Sequence, residues 1–452
     1  MGIQNLKAKR VESPVSGVAG RKPSVARADL LDKATRARFE SELDAALKRK
    51  PTNEVKLAGA LRAVAAMSPA LRGALVEATQ VMVRRGSYAR EIYGACLRTL
   101  AEAEDRNVPA LLKSALAADD AGGNATLSAA CFCKDASLTA PLAKLAASRQ
   151  SHLAFGAETA RVCRRESNGA HLTAIAPMIK ESHRIALCTE LFVPLARSAP
   201  VPVHVGPALG VLRGAERHLG RWLVLADVAA KAGDMSPLEE AIAKSQVGPS
   251  SARAAWSLVA WALSETVTSA RSLLTPGANG AVAAAAAAPV TRPTVELVAR
   301  LSDRPSADRD TTFLFRMARA RAASCKPMLE GLAKGGPLSP LVDEVSVRAA
   351  SYLARDHGRA DMKAALLDCA QNAKRDELRG FAVAALWDTG DDDARAKARD
   401  LSDELVTSRC ISSVAWGALV RAAHAGGIGK NDPNFVVAAE TPFRWVQWGW
   451  LE

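Results

Sequence analysis

The residues with reactive chemistry in this chain are eight cysteines, seven histidines and a short run of aspartates. Cys131 and Cys133 are separated by one residue, which on a helix turns the two thiols to different sides, and no second Cys or His pair follows at zinc-finger spacing. Buried helical cysteines are the expectation. The histidines stand alone, without a His-Glu-x-x-His pair. Asp388 and Asp391 to Asp393 fail as a calcium loop, because glycine falls at the third place and Arg399 stands where the bidentate glutamate belongs. Gly426-Gly427-Ile428-Gly429-Lys430-Asn431 fails as a phosphate loop: His424 holds the place of its first glycine and Asn431 replaces the hydroxyl residue that meets magnesium. No Gly-x-Ser-x-Gly elbow occurs. The sequence therefore nominates no catalytic residue, no metal ligand and no cofactor.

Residues suited to binding are easier to find. Arg348 and Arg379 occupy matching places in two similar phrases, where they either bond to an acidic turn of a neighbouring unit or grip an anionic group of a partner. Trp387 follows in the second phrase, and Trp445, Trp448 and Trp450 concentrate aromatics at the C-terminus of a chain with 4% aromatic residues. The three C-terminal tryptophans are expected to cap the end of the array, with a partner-binding anchor as the other reading. Lys7, Lys9, Arg10, Arg21 and Lys22 give the first 28 residues a charge of +5 with Arg27 and Glu12 included, which marks a flexible arm able to dock on an acidic partner.

What must position these residues is a repeated helical phrase. Val347 to Ala354, Leu378 to Leu386 and Ile411 to Leu419 each place a branched apolar residue, a small residue four positions later (Ser351, Ala382, Ala415) and an alanine three later. Their starts lie 31 and 33 residues apart, with one more helical segment in each interval. The unit is a helix pair, and a pair of this size buries its apolar faces only when another pair covers it. Between the second and third phrases, Gly390 is placed to end a helix in a left-handed conformation, and Asp391 to Asp393 put carboxylates at the start of the next. Weaker copies lie upstream at Val55, Gly59 and Arg62 and at Leu153, Ala157 and Ala160, while segments beginning at Leu138 and Leu172 read as first helices.

Asp376, Leu378, Arg379, Ala382, Ala385 and Leu386, followed by Gly390-Asp391, resemble one unit of a HEAT or HEAT-like repeat of the phycobilisome-lyase type. The first copy has serine at the small position and the third has Ser412 in place of the arginine. The resemblance implies an all-α, right-handed α-solenoid of stacked antiparallel helix pairs. It further implies a non-enzymatic scaffold that binds a protein partner along its concave surface, in assembly or regulation. The alternative it offers is a nucleic-acid-binding protein similar to the alkylpurine DNA glycosylases built on such repeats.

Composition agrees with the fold class. Hydrophobic residues make up 49% of the 452 positions, enough for a continuous core, and strand-like alternation is almost absent. The net charge of +13 leaves +8 for the residues beyond the arm, without the dense stripe of a nucleic-acid footprint. Scattered cysteines in a long chain are unlike a secreted disulfide framework, and neither a membrane span nor a signal peptide is legible, so a cytoplasmic setting is expected. Leu6 stands where a myristoylation signal wants serine or threonine. The expected organisation is a basic arm at 1–28, an N-terminal helical array at 29–274, a low-complexity loop or hinge at 275–293, HEAT-like repeats at 294–427 and an aromatic cap at 428–452.

Overall fold

The computed structural model describes residues 29–48, 54–65, 67–85, 90–117, 123–180, 205–215, 234–248, 322–333 and 341–425, with isolated helical positions between 222 and 260. The arm at 1–28, the loop at 275–293, the cap at 428–452 and the segment His183 to Phe192 lie outside these residues. Every regular element among the described residues is helical. In the N-terminal array these are α1 (Lys33–Lys48), α2 (Glu54–Ala65), α3 (Pro69–Arg85), α4 (Arg90–Glu102), α5 (Val108–Ala117), α6 (Gly123–Phe132), α7 (Thr139–Ala146), α8 (Ser151–Cys163), α9 (Ala170–Ile175), α10 (Gly206–Gly214) and α11 (Ser236–Gln246). The C-terminal array holds α12 (Ala322–Ala333), α13 (Glu344–His357), α14 (Ala360–Asn372), α15 (Asp376–Asp388), α16 (Asp392–Leu405) and α17 (Ile411–His424).

The punctuation read from the sequence is built as expected. Gly390 adopts φ 81° between α15 and α16, and Gly358 adopts φ 63° at the equivalent place after α13. Both positions stop a helix in the left-handed region that costs glycine little. Asp391 caps α16 by accepting the Ala394 N–H at 3.0 Å. Asp343 and Ser346 form a reciprocal capping box at the start of α13.

The three repeated phrases are α13, α15 and α17, and the weaker copies are α2 and α8. These second helices pack in a row: α13 meets α15, α15 meets α17, α2 meets α4, α4 meets α6 and α6 meets α8. The first helices form a companion layer through contacts of α1 with α3, α3 with α5, α5 with α7, and α14 with α16. Second helices are enclosed on every side over more than a full turn: Val345–Leu353 of α13, Asn124–Cys131 of α6 and Ser412–Val420 of α17 are buried without interruption. A helix buried right round needs small residues at its contacts, because larger ones would hold the axes apart. Ser351, Ala382 and Ala415 are all buried, as the spacing requires.

Among the described residues, the two arrays meet. α17 packs against α2, so the row of second helices continues from the last described helix into the first copy of the phrase. Ion pairs flank this junction: Lys56 of α2 meets Glu377 of α15, and Arg421 of α17 meets Asp32 at 3.3 Å. The sequence reading assigned closure of the C-terminal end to an aromatic cap; among the described residues, it is α2 that covers α17.

Glycine makes the tightest of these approaches. A Cβ at Gly417 would fall 2.8 Å from the Ser402 carbonyl oxygen and 2.9 Å from Leu405 Cβ, so α16 and α17 would have to separate. Gly73, inside α3, has nothing within 4 Å of the same position. We predict that Gly417→Ala lowers stability by about 1–3 kcal/mol, as overpacking does. Gly73→Ala should raise it by roughly 0.4–1 kcal/mol through helix propensity and a less flexible unfolded chain. Urea unfolding of the two variants checks both signs.

Candidate interaction surface

The repeat period is written into the side-chain bonds that cross between pairs. Arg355 of α13 meets Asp388 of α15 at 2.6 Å, thirty-three residues on. Arg375 meets Glu344 at 3.0 Å, thirty-one residues back. Tyr93 and Thr126 share a hydrogen bond of 2.8 Å across thirty-three residues, and the Ser351 hydroxyl donates to the Ala385 carbonyl at 3.4 Å across thirty-four. Acidic residues at the start of one second helix also serve the start of the next. The Glu91 N–H donates to Glu54 at 2.6 Å, and the Ser408 hydroxyl donates to Asp376 at 3.0 Å. A carboxylate beside a helix N-terminus meets unpaired N–H groups and the favourable end of the dipole, so each contact ties neighbours together electrostatically.

Arg379 lies among acidic groups. Its guanidinium lies 3.3 Å from Glu404 of the next pair, 3.9 Å from Asp376 and 3.4 Å from the Ala370 carbonyl. Arg348, its counterpart in the preceding phrase, is only 5% exposed and lies 6.0 Å from the Tyr352 ring. The two arginines therefore do not share one surface. Trp445, Trp448 and Trp450 and the basic residues Lys7, Lys9, Arg10, Arg21 and Lys22 lie outside the described residues.

Trp387 has the most promising surroundings. Half-buried near the end of α15, it has the Arg395 guanidinium of α16 5.4 Å from its ring and the exposed His424 of α17 edge-on at 6.0 Å. The Arg395 Nε is buried without a hydrogen-bond partner. Arg355 lies over the Tyr352 ring at 4.7 Å and reaches Asp388, the residue after Trp387. Aromatic, basic and imidazole groups from α15, α16 and α17 thus meet beside one hairpin turn. Arg395 is not singled out by the sequence, and His424 enters it only as the residue in place of a phosphate loop's first glycine. A signal for Arg395 existed, since a residue in the first turn after Gly390 lies back beside the last turn before it.

Burial holds several of the described thiols in the protonated form. Burial pushes Cys96 and Cys369 up to about 12, and burial with the neighbouring Cys163 thiol raises Cys131 well above its ordinary value. Cys131 donates to the Leu127 carbonyl at 3.3 Å, as a buried helical cysteine does. Among the described residues no group of three or more His, Cys, Asp or Glu side chains could hold a metal ion. No described helix is long and apolar enough to cross a membrane. Comparison with protein-family models, with curated proteins and with solved structures finds no match.

The Asp391 cap beside this cluster gives a pH signature. The Ala394 N–H and the Lys363 ammonium, 3.0 Å away, hold the Asp391 carboxyl below its ordinary value. Its folded value lies below its unfolded one, so its stabilising effect is complete above about pH 4 and fades as the pH falls further. Asp391→Ala is expected to lower the melting temperature at pH 7. In parallel thermal melts, the gap to the parent protein should narrow only below about pH 4.

Proposed function

We propose that this protein is a non-enzymatic, cytoplasmic scaffold: a right-handed α-solenoid of antiparallel HEAT-like helix pairs that binds a protein partner in assembly or regulation. The observation that carries the reading is the recurrence of inter-pair bonds at the sequence period, Arg355 with Asp388 and Arg375 with Glu344 among them. Units so joined form a continuous wall of helices that needs no reactive centre to be useful.

The expected concave surface requires refinement. With α6, α13 and α17 enclosed over full turns, little of a second helix is free to meet a partner along its length. We place the contact instead where the second helices end, around Trp387, Arg395 and His424. Tryptophan and arginine are the residue types that dominate binding energy at protein interfaces, and here they stand together on rigid helices with a guanidinium donor unused. An acidic partner surface with an apolar centre would match them.

The test compares the parent protein with a Trp387→Ala, Arg395→Glu double variant in affinity purification from the native host. The proposal expects a protein retained by the parent and lost by the variant, with both unchanged in helical content by circular dichroism. Equal retention by both would remove this surface. Binding of duplex DNA that falls steeply with salt, in the absence of a retained protein, would favour the nucleic-acid alternative instead.

A further inference from the structure

A second aromatic cluster, remote in sequence from Trp387, surrounds a single ammonium group. The Lys244 Nζ lies 4.4 Å from the centre of the Trp256 ring and 5.6 Å from that of Trp222. The two indoles meet edge to face, 5.1 Å apart and at 89°, so their planes stand at right angles beside the cation. Glu240, one turn back on α11, completes the set with its carboxylate 2.7 Å from the ammonium. The Arg213 Nε of α10 holds Glu240 from the other side at 3.5 Å, and Arg213 also donates to the Ser236 hydroxyl at 2.6 Å. Two indole rings and a carboxylate gathered about one ammonium are the groups suited to recognise a methylated ammonium ion.

The resident lysine does not account for this corner. Trp222 is only 3% exposed, and its Nε1 is buried with no hydrogen-bond partner. The Lys244 side chain is 41% exposed, and an exposed cation–π contact with an exposed ion pair returns less than an unbonded buried N–H costs. Phenylalanine would pack there without that cost; what tryptophan adds is the strongest ring face for a cation. Lysine is also a poor occupant, because its ammonium is strongly hydrated and its long stem loses rotamer freedom when held. A methylated ammonium sheds water more readily, offers apolar methyl groups to both rings and keeps its charge beside Glu240.

We propose that Trp222, Trp256 and Glu240 form a recognition site for a methylated ammonium group, with Lys244 as an internal stand-in that swings out when the ligand enters. The same chemistry belongs to a methylated lysine side chain on a protein and to a free quaternary amine such as choline. The site does not depend on the scaffold reading above, and its residues are distinct from the Trp387 cluster.

The experiment titrates the full-length protein with tetramethylammonium chloride and follows tryptophan fluorescence, against sodium chloride at matched ionic strength. A saturable change with tetramethylammonium alone is expected. Lys244→Ala removes the competing ammonium and should lower the half-saturating concentration about two- to fivefold, the range that an exposed cation–π contact represents. Misfolding does not produce a gain in affinity, so the sign of this effect decides the matter. Trp256→Leu, at a half-buried position, should abolish the saturable change with helical content intact by circular dichroism. A tighter response to a trimethyllysine peptide than to choline identifies a protein ligand, and the reverse order identifies a free amine. The proposal is overturned if tetramethylammonium and sodium give superimposable curves in the parent and in Lys244→Ala. It is equally overturned if Lys244→Ala leaves the half-saturating concentration unchanged or raises it, or if folded Trp256→Leu keeps the saturable change.

Discussion

The second helices lie so close together that side chains larger than serine cannot stand between them at the tightest points, and the rest of the structure follows from that constraint. A Cβ at Gly380 would sit 3.1 Å from the Ser413 Cα, and one at Gly94 would sit 3.2 Å from the Ala125 Cβ. At such separations, backbone carbonyls of one helix come within reach of hydroxyls on the next. The Ser413 hydroxyl accordingly donates to the Asp376 carbonyl at 2.7 Å. Close approach gives dispersion contacts, and the hydroxyl bonds fix the register in which they form. It also explains why a chain with so few aromatic rings can build an extensive core: alanine fills an interior whose helices leave little room.

Tight enclosure has a corollary for polar groups. A helix buried right round loses water on every side, so each polar side chain must find a partner within the protein. Several succeed through a carbonyl one turn back in the same helix, as Thr79 and Thr159 do, others through bonds at the repeat spacing, and Arg164 shows how completely a buried guanidinium can be satisfied. The exceptions are therefore informative. Arg98 and Ser128 belong to adjoining second helices, whereas Arg395 lies in a first helix beside Trp387. Other buried donors without a partner, such as Arg161 Nε and Trp222 Nε1, are spread over further helices.

Much of the local architecture was legible in the sequence because it depends on neighbours in the chain. Gly390 and Asp391 announced a helix end and a helix start, and the backbone adopts both. The phrase at Val55, Gly59 and Arg62 was faint, yet α2 joins the same row as α15 and α17. Features that depend on distant residues were hidden. Nothing in the text near Arg348 distinguishes it from Arg379, and burial of the first is a property of what surrounds it. The meeting of Trp387, Arg395 and His424 needed three helices placed together. The contact of α2 with α17 spans most of the chain, and no spacing rule reaches that far.

That contact also bears on how the molecule is made. During synthesis α2 leaves the ribosome early, and the surface that shelters one of its flanks does not exist until α17 has followed. For that interval an alanine-rich apolar strip stands bare, which favours a helper that shields it or a growing chain that stays loosely collapsed. Helices joined only to sequence neighbours assemble quickly, whereas a junction between distant segments must wait for the chain to close on itself. The seam between α2 and α17 is thus the step most exposed to misassembly.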